Sequence, residues 1–177
     1  MNWLKRIGIG IGVLLLLLFV ALYIYSGGFA DTSRYQAEIT INQPADVVFQ
    51  WLTEPDKLTQ WVSGFVRSEP INGDSLFLGV KSKEIIDTGS GELMEMVMEV
   101  TALEPGRLLG ATMSHETMVQ HIVWRLQESG GVTRLSVDAD VELRAFMFRM
   151  IGEKFGPIAG QQVQSDFAKL KQLLESQ

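Results

Sequence analysis

Residues 39–61 read ITINQPADVVFQWLTEPDKLTQW, and this stretch decides the fold. An alternating strand runs into Pro44, a residue that suits the first turn of a helix. Apolar residues then recur at three- and four-residue spacing, which predicts one short amphipathic helix. Pro55 begins a second short helix that ends at Trp61. Two short helices this early, followed by strands and one terminal helix, predict a layout that encloses an apolar cavity.

The rest of the chain alternates between apolar and polar residues in segments separated by turn signals such as Asn72-Gly73-Asp74. This pattern predicts an antiparallel meander, and a long helix follows over 146–175 with a possible kink at Pro157. The sheet is expected to curl around that helix and to bury one face. The predicted strands are 34–42, 62–70, 76–86, 93–103, 107–115, 118–128 and 132–143. The helix carries an apolar stripe of Val163, Phe167, Leu170 and Leu174.

The N-terminal segment is apolar and carries no charge over residues 7–25. At a rise of about 1.5 Å per residue it reaches about 28 Å, close to the thickness of a hydrocarbon core. Lys5 and Arg6 precede it, and the basic side of such a segment stays in the cytoplasm. These features predict a single transmembrane helix with a cytoplasmic N-terminus and an extracytoplasmic domain.

A cleaved signal peptide is the alternative interpretation of this segment, because Gly28-Phe29-Ala30 offers small residues for a peptidase. Signal peptides have apolar regions of about 7–15 residues, so the longer run here favours an uncleaved anchor. The predicted organisation is an anchor over 1–26, a linker over 27–33 and one domain over 34–177.

Composition excludes several classes of function. The chain has no cysteine, which excludes disulfides and thiol catalysis. All 21 acidic residues, and all but Lys5 and Arg6 of the 15 basic ones, follow the apolar segment, and no basic run interrupts them. Such a surface repels polyphosphate backbones, so we expect no nucleic-acid partner.

Three segments carry a family resemblance: 41–49, 54–58 together with Trp61, and 166–175. With the order of elements, they resemble the START-like (SRPBCC) superfamily, also called the polyketide cyclase/dehydrase and lipid transport family. The resemblance implies an α+β helix-grip fold, in which a curved antiparallel sheet wraps around a long C-terminal helix and a ligand cavity lies between them. It provides no catalytic motif that can be placed on residues of this chain.

Met94, Met96 and Met98 alternate along one strand, so all three lie on one face of the sheet. Thioethers adapt to varied apolar ligands, which favours a cavity wall over ordinary core packing. Copper(I) binding by the three thioethers is a weaker alternative. Alternate strand residues lie about 6.6 Å apart, and neither a cysteine nor a nearby histidine assists them.

Three tryptophans belong to the domain. Trp51 is expected in the core. Trp61 ends the second short helix, near the expected mouth of the cavity, and Trp124 shares a strand face with Ile122 and Leu126. Trp61 and Trp124 are therefore candidates for a stacking wall or gate, with core packing as the alternative.

The titratable candidates for catalysis are few. Adjacent strand residues point to opposite faces, so Ser114 and His115 cannot form a catalytic relay. His121 is expected on the solvent face. Glu84 and Asp87 flank an apolar pair, and we expect both to be exposed rather than to serve as a buried general base.

The segment 144–151 crowds five large apolar residues between and beside two arginines. One interpretation is that these residues pack on the sheet. The other is a lip that dips into a membrane interface, with the arginines near lipid phosphates.

The predicted function is extracytoplasmic binding or transport of a lipid-like or other hydrophobic small molecule, with no cofactor, no metal and no catalytic residue assigned. The alternatives are an enzyme of cyclase or hydrolase type that uses the same cavity, and a non-catalytic partner-binding module. The predicted ligand-binding wall consists of Trp61, Phe65, Met94, Met96, Met98, Met113, Ile122, Trp124, Phe155 and Phe167.

Overall fold

The element order matches the predicted layout of an early helix pair, a run of strands and a terminal helix. The computed structural model describes residues 2–26 and 29–176, and side chains over 11–23 and 29–176. The helices are α1 (Asn2–Ser26), α2 (Ala45–Thr53), α3 (Pro55–Trp61), α4 (Phe146–Met150) and α5 (Gly152–Glu175). The strands are β1 (Thr32–Ile41), β2 (Phe65–Pro70), β3 (Lys81–Asp87), β4 (Leu93–Glu104), β5 (Leu108–Ser114), β6 (Met118–Ser129) and β7 (Val132–Leu143).

The seven strands form one antiparallel sheet in the order β1-β7-β6-β5-β4-β3-β2. From β2 to β7 each strand pairs with its neighbour in sequence, which confirms the predicted meander. The first strand pairs with the last, so β1 and β2 are the two edges. The long helix α5 packs against β1. A single sheet gripping a long C-terminal helix fits the predicted helix-grip fold.

The concave face of the sheet follows from the strand register. Tyr35, Ala139, Ile122 and Ala111 are consecutive cross-strand partners from β1 to β5, and all are buried. Polar residues alternate with them on the other face, so the period of two predicted for β7 places its apolar residues inward. From α5, the stripe residues Phe167, Leu170 and Leu174 are fully buried against this core.

The two short helices form where the prolines allow them. Pro44 occupies the position that caps α2, and Pro55 lies at the start of α3, where its missing N–H group costs nothing. Trp51 and Trp61 are both buried, and the indole Nε1 of Trp61 donates a 2.9 Å hydrogen bond to the carbonyl of Trp51. That bond ties the end of α3 back to α2.

Two predicted element boundaries are wrong. Strand β3 begins at Lys81 rather than at residue 76, because the side chain of Asn72 bonds both the Gly79 carbonyl (3.1 Å) and the Lys81 amide (2.6 Å) and closes a loop over 71–80. The single helix predicted over 146–175 is divided at Ile151 into α4 and α5, and Pro157 lies inside α5. Gly152, the first residue of α5, lies close to Ala30, where a β carbon would have no space.

The close approach of α5 to β1 depends on glycine. Gly152, Gly156 and Gly160 recur every four residues along the helix. The hydroxyl of Ser33 on β1 accepts from the amide of Gly156 and donates to the carbonyl of Gly152, both at 2.9 Å. A β carbon on Gly156 would overlap the Arg34 carbonyl oxygen, whereas one on Gly160 would have ordinary contacts, the nearest at 3.4 Å.

The predicted transmembrane helix falls in α1. Among the residues that the structure describes, no helix is long and apolar enough to cross a membrane, so the anchor prediction is not supported. Residues 27 and 28 of the predicted linker lie outside the described residues, and the last two linker residues already belong to β1.

We expect Gly156→Ala to destabilise the protein, because its β carbon has no space beside the β1 backbone. Overpacking of this kind costs about 1–3 kcal/mol, more than the gain of about 1 kcal/mol in helix propensity. Gly160→Ala, four residues along the same helix, is the matched control and should be neutral or stabilising. Urea unfolding of both variants measures the difference, and equal free energies of unfolding would contradict the close approach.

Candidate functional site

A cavity of about 280 Å³ lies between the concave face of the sheet and α5. The helices α2 and α3 close one end of it, and β2 to β7 supply the floor. Its volume is just below the range that is usual for ligand pockets, about 300–1,000 Å³. The predicted hollow between sheet and terminal helix is therefore present.

Most of the predicted wall residues are brought together around this cavity. They come from α3, from four different strands and from α5, and the strand register places them side by side. Met96 is buried, and Met98 pairs directly with Met113 on the neighbouring strand. The residues that line the cavity are Trp61, Phe65, Met96, Met98, Met113, Ile122, Trp124 and Phe167.

Met94 and Phe155 do not line the cavity. Met94 is half-buried and pairs with Ile86 near the start of β4, one step beyond the cavity along the strand. Phe155 is half-buried in the first turns of α5, where its ring meets Phe148 edge-on at a centroid distance of 6.1 Å. Alternation correctly places Met94 on the inner face of β4. That face is longer than the cavity, so a residue on it need not line the cavity.

Several wall residues were not predicted. They include Tyr35 on β1, Leu52 on α2 and Leu58 on α3, together with Ala111 and Val137 from the floor. The inward positions of β5 and β7 could have been read from alternation, as those of β4 and β6 were. The contribution of β1 could not, because it depends on β1 pairing with β7 at the far end of the chain.

The prediction that Glu84 is exposed is wrong. Glu84 is 3% exposed and lines the cavity, whereas Asp87 is exposed as expected. The reason is the strand register: Glu84 lies on the same face of β3 as Ser82, and its cross-strand partner on β4 is Met96. The apolar pair beside Glu84 is uninformative about the face that Glu84 takes, because Ile85 and Ile86 themselves lie on opposite faces.

Two hydroxyl groups bond one oxygen of this carboxyl. Ser68 Oγ donates to Glu84 Oε1 at 2.9 Å and Ser82 Oγ donates to the same oxygen at 2.5 Å. The other oxygen, Oε2, is buried and has no hydrogen-bond partner among the described residues. Burial raises the pKa of Glu84 above its ordinary value, more than the hydrogen bonds from Ser82 and Ser68 lower it.

A second buried carboxyl, Asp166, lies at the rim of the cavity and was also missed. Ser63, in the loop after α3, donates to it through its amide (3.2 Å) and its hydroxyl (2.7 Å). Gln162 and Lys169 on α5 also bond Asp166 Oδ1, at 3.1 and 3.4 Å. This cluster fastens the loop to α5. A signal was available, since Asp166 lies three residues after Val163 and therefore on the apolar side of the helix.

Tyr35 adds a third polar group to the wall. Its hydroxyl donates a 3.1 Å hydrogen bond to Gln120 Oε1, and burial raises the pKa of Tyr35 to about 12. The phenol is therefore neutral at physiological pH and acts as a donor that is already satisfied.

Neither histidine lines the cavity. His121 is exposed, as predicted, with its Nδ1 atom 3.0 Å from Thr112 Oγ1. His115 is half-buried and its Nδ1 atom lies 2.7 Å from Thr117 Oγ1. In the described part of the chain, no group of three or more histidine or acidic side chains is placed to hold a metal ion.

The segment 144–151 does not pack entirely on the sheet. Phe146 is 57% exposed and Met147 is 68% exposed, while Phe148 is half-buried against the core. The ring of Phe146 lies 5.1 Å from that of Phe29, and Phe29 in turn lies 5.6 Å from Tyr23 of α1. The exposed apolar side chains of α4 therefore adjoin the end of α1.

A second depression, of about 510 Å³, lies at the surface between the start of α2 and the β4–β5 turn. Charged residues, among them Asp46, Glu104, Arg107 and Arg125, line much of it. Its polar lining makes it unsuitable for an apolar ligand, so we place the candidate site in the inner cavity.

We expect Glu84→Gln to raise the free energy of unfolding at neutral pH relative to the wild type. A carboxyl whose pKa is raised by folding disfavours the folded state above that pKa, and the penalty vanishes once the pH falls below the unfolded pKa. The gain from Glu84→Gln should therefore shrink as the pH is lowered. Urea unfolding across this pH range measures it, with the exposed Glu92→Gln as control. A loss of stability that is constant with pH would contradict the assignment.

The comparisons with known proteins agree with this geometry. Similar solved structures include Ara h 8.0201 (15% identity, TM-score 0.62, covering 82% of this chain and 99% of that one). TTHA0849 from Thermus thermophilus is similar at 14% identity and a TM-score of 0.65, covering 81% of this chain and 97% of that one. The di-domain ARO/CYC StfQ from the steffimycin biosynthetic pathway has 11% identity and a TM-score of 0.65, covering 82% of this chain and 51% of that one. At these identities the likeness shows a shared fold.

No curated protein matches the sequence. The family described as polyketide cyclase/dehydrase and lipid transport matches residues 32–175, a range that holds every element from β1 to α5. The predicted START-like resemblance is thus confirmed at the level of the superfamily, and the chain belongs to the polyketide cyclase/dehydrase and lipid transport family.

Proposed function

We propose that this protein binds a lipid-like or other hydrophobic small molecule in the inner cavity and shields it from water. The observation that carries the proposal is a cavity of about 280 Å³ whose wall is largely apolar. Burial of apolar ligand surface would stabilise the complex by about 25 cal/mol per Å². The family's description, which includes lipid transport, supports the same class of ligand.

The wall is suited to ligands of varied shape. Met96, Met98 and Met113 present flexible thioethers from adjacent strands, and Trp61 and Trp124 present aromatic surfaces. That these residues contact the ligand is a prediction. The void itself disfavours the alternative of a partner-binding module with a filled interior.

We expect Ala111→Phe to abolish uptake of an apolar ligand without unfolding the protein. Ala111 is buried at the cavity floor, where a larger side chain can occupy the void instead of displacing packed atoms. Native mass spectrometry of the purified chain, and fluorescence titration with the neutral dye Nile red, measure binding. Ala111→Leu should show an intermediate loss of affinity.

Ala168→Phe is the matched control, because Ala168 is exposed on α5 and away from the cavity wall. Its affinity for the dye should equal that of the wild type. Undiminished binding by Ala111→Phe, or no binding of any apolar compound by the wild type, would contradict the proposed function.

We propose further that the N-terminal segment holds the domain at a membrane, with the domain on the extracytoplasmic side. The support comes from the sequence: residues 7–25 carry no charge, and Lys5 and Arg6 precede them. The described side chains of this segment, such as Leu14 and Leu17, are exposed and apolar.

We expect the full chain to stay with the membrane fraction after a carbonate wash. The double substitution Leu14→Arg and Leu17→Arg should move it to the soluble fraction, since each arginine at the centre of a membrane helix costs about 2.5–3.5 kcal/mol on insertion scales. Leu14→Phe and Leu17→Phe is the control and should remain in the membrane. N-terminal sequencing of the mature protein distinguishes an anchor from a cleaved signal peptide, and a soluble wild-type chain would contradict the proposal.

A second candidate is an enzyme of cyclase or hydrolase type, and Glu84 is the observation that favours it. A buried carboxyl with a raised pKa inside a ligand cavity is a candidate general base or acid. Incubation with aromatic polyketide-like phenols and with esters, followed by mass spectrometry, tests it. Conversion by the wild type that is lost in Glu84→Gln would support catalysis, and unchanged compounds would oppose it.

A further inference from the structure

The buried side chain of Glu84 has one carboxyl oxygen that receives no hydrogen bond from the described residues. It is 3% exposed, and both hydroxyl donors near it, Ser68 and Ser82, bond the same oxygen, Oε1. Glu84 lines the cavity, and its Oε2 atom is buried without a partner among the described residues. A buried acceptor without a donor costs free energy. A ligand whose donor bonds this acceptor removes that cost and therefore binds more tightly.

The surroundings of Glu84 offer no positive charge. The titratable residues in the cavity wall are Tyr35, Glu84 and Asp166, and the wall contains no lysine, arginine or histidine among the described residues. Tyr35 donates its hydrogen bond to Gln120, and Asp166 accepts hydrogen bonds from Ser63 and from its neighbours on α5. Neither residue is bonded to Glu84. On the strands beside it, Glu84 pairs with Ser68 of β2 and Met96 of β4.

We infer that Glu84 determines the class of ligand that the cavity accepts. The ligand is an apolar molecule with one hydrogen-bond-donating end, a hydroxyl or an amino group, which bonds the Glu84 carboxyl while the apolar part lies along the methionine and tryptophan wall. This inference rests on the proposed function and restricts the class of ligand to apolar molecules with a donor group.

The same geometry rejects apolar molecules that end in a carboxylate. An ionised carboxylate has acceptors and no donor, so it cannot donate a hydrogen bond to ionised Glu84, and no cation in the described wall compensates a second negative charge. Free fatty acids are therefore poor ligands, although their tails suit the cavity. An aliphatic alcohol and an aliphatic amine of equal chain length share the required donor and differ from each other in charge.

The test compares decanol, decylamine and decanoic acid at neutral pH, each competing with Nile red for the full-length protein. We expect the alcohol and the amine each to displace the dye at concentrations at least about tenfold lower than the acid. In Glu84→Gln the side-chain amide can donate as well as accept, so the acid should gain affinity and the amine should lose it. The ratio of the two affinities should fall by about tenfold or more.

Glu92→Gln is the matched control, because it makes the same change at an exposed residue that does not line the cavity. It should keep the wild-type preference. Equal affinities of the wild type for the three compounds, or tightest binding of the acid, would overturn the inference and leave the proposed function standing. Binding of neither the dye nor any of the three compounds would overturn both. The wild-type comparison needs no variant, so poor folding of Glu84→Gln does not remove the test.

Discussion

The contact between α5 and β1 is the constraint on which the rest of the structure depends. A seven-stranded sheet must cover its concave face, and α5 is held against the β1 edge of that face. Gly156 makes the approach possible, and the hydroxyl of Ser33 bonds two successive turns of the helix. With the helix held at β1, its apolar stripe packs into the core beside α3. The cavity forms between this helix and the floor that the strands supply.

This arrangement explains why polar groups occur in an otherwise apolar wall. Strand β3 lies next to the edge strand β2, far from the β1 edge against which α5 packs. Glu84 is buried between β2 and β4, where its cross-strand partners are Ser68 and Met96. Its hydroxyl partners come from its own strand and from β2, and they satisfy one oxygen only. Asp166 differs, because four donors near the rim satisfy it and it fastens a loop.

Much of the fold could be predicted from local patterns. Alternation predicted the strands, proline positions predicted α2 and α3, and the spacing of Phe167, Leu170 and Leu174 predicted the buried face of α5. The start of β3 was missed because a single side chain, that of Asn72, replaces strand pairing with a closed loop. The break between α4 and α5 was not predicted, because the prediction was one helix over 146–175 with a kink at Pro157.

The sequence alone determined which residues share a face, because a strand repeats every two residues and a helix every 3.6. It therefore determined the methionine row and the tryptophan candidates, while three sequence segments carried the resemblance to the family. Only the tertiary structure decided where on those faces the cavity begins and ends, which removed Met94 and Phe155 from the wall and added Tyr35. It also decided that Glu84 is buried. Both outcomes depend on pairing between strands and on the position of one helix, and no local pattern records either.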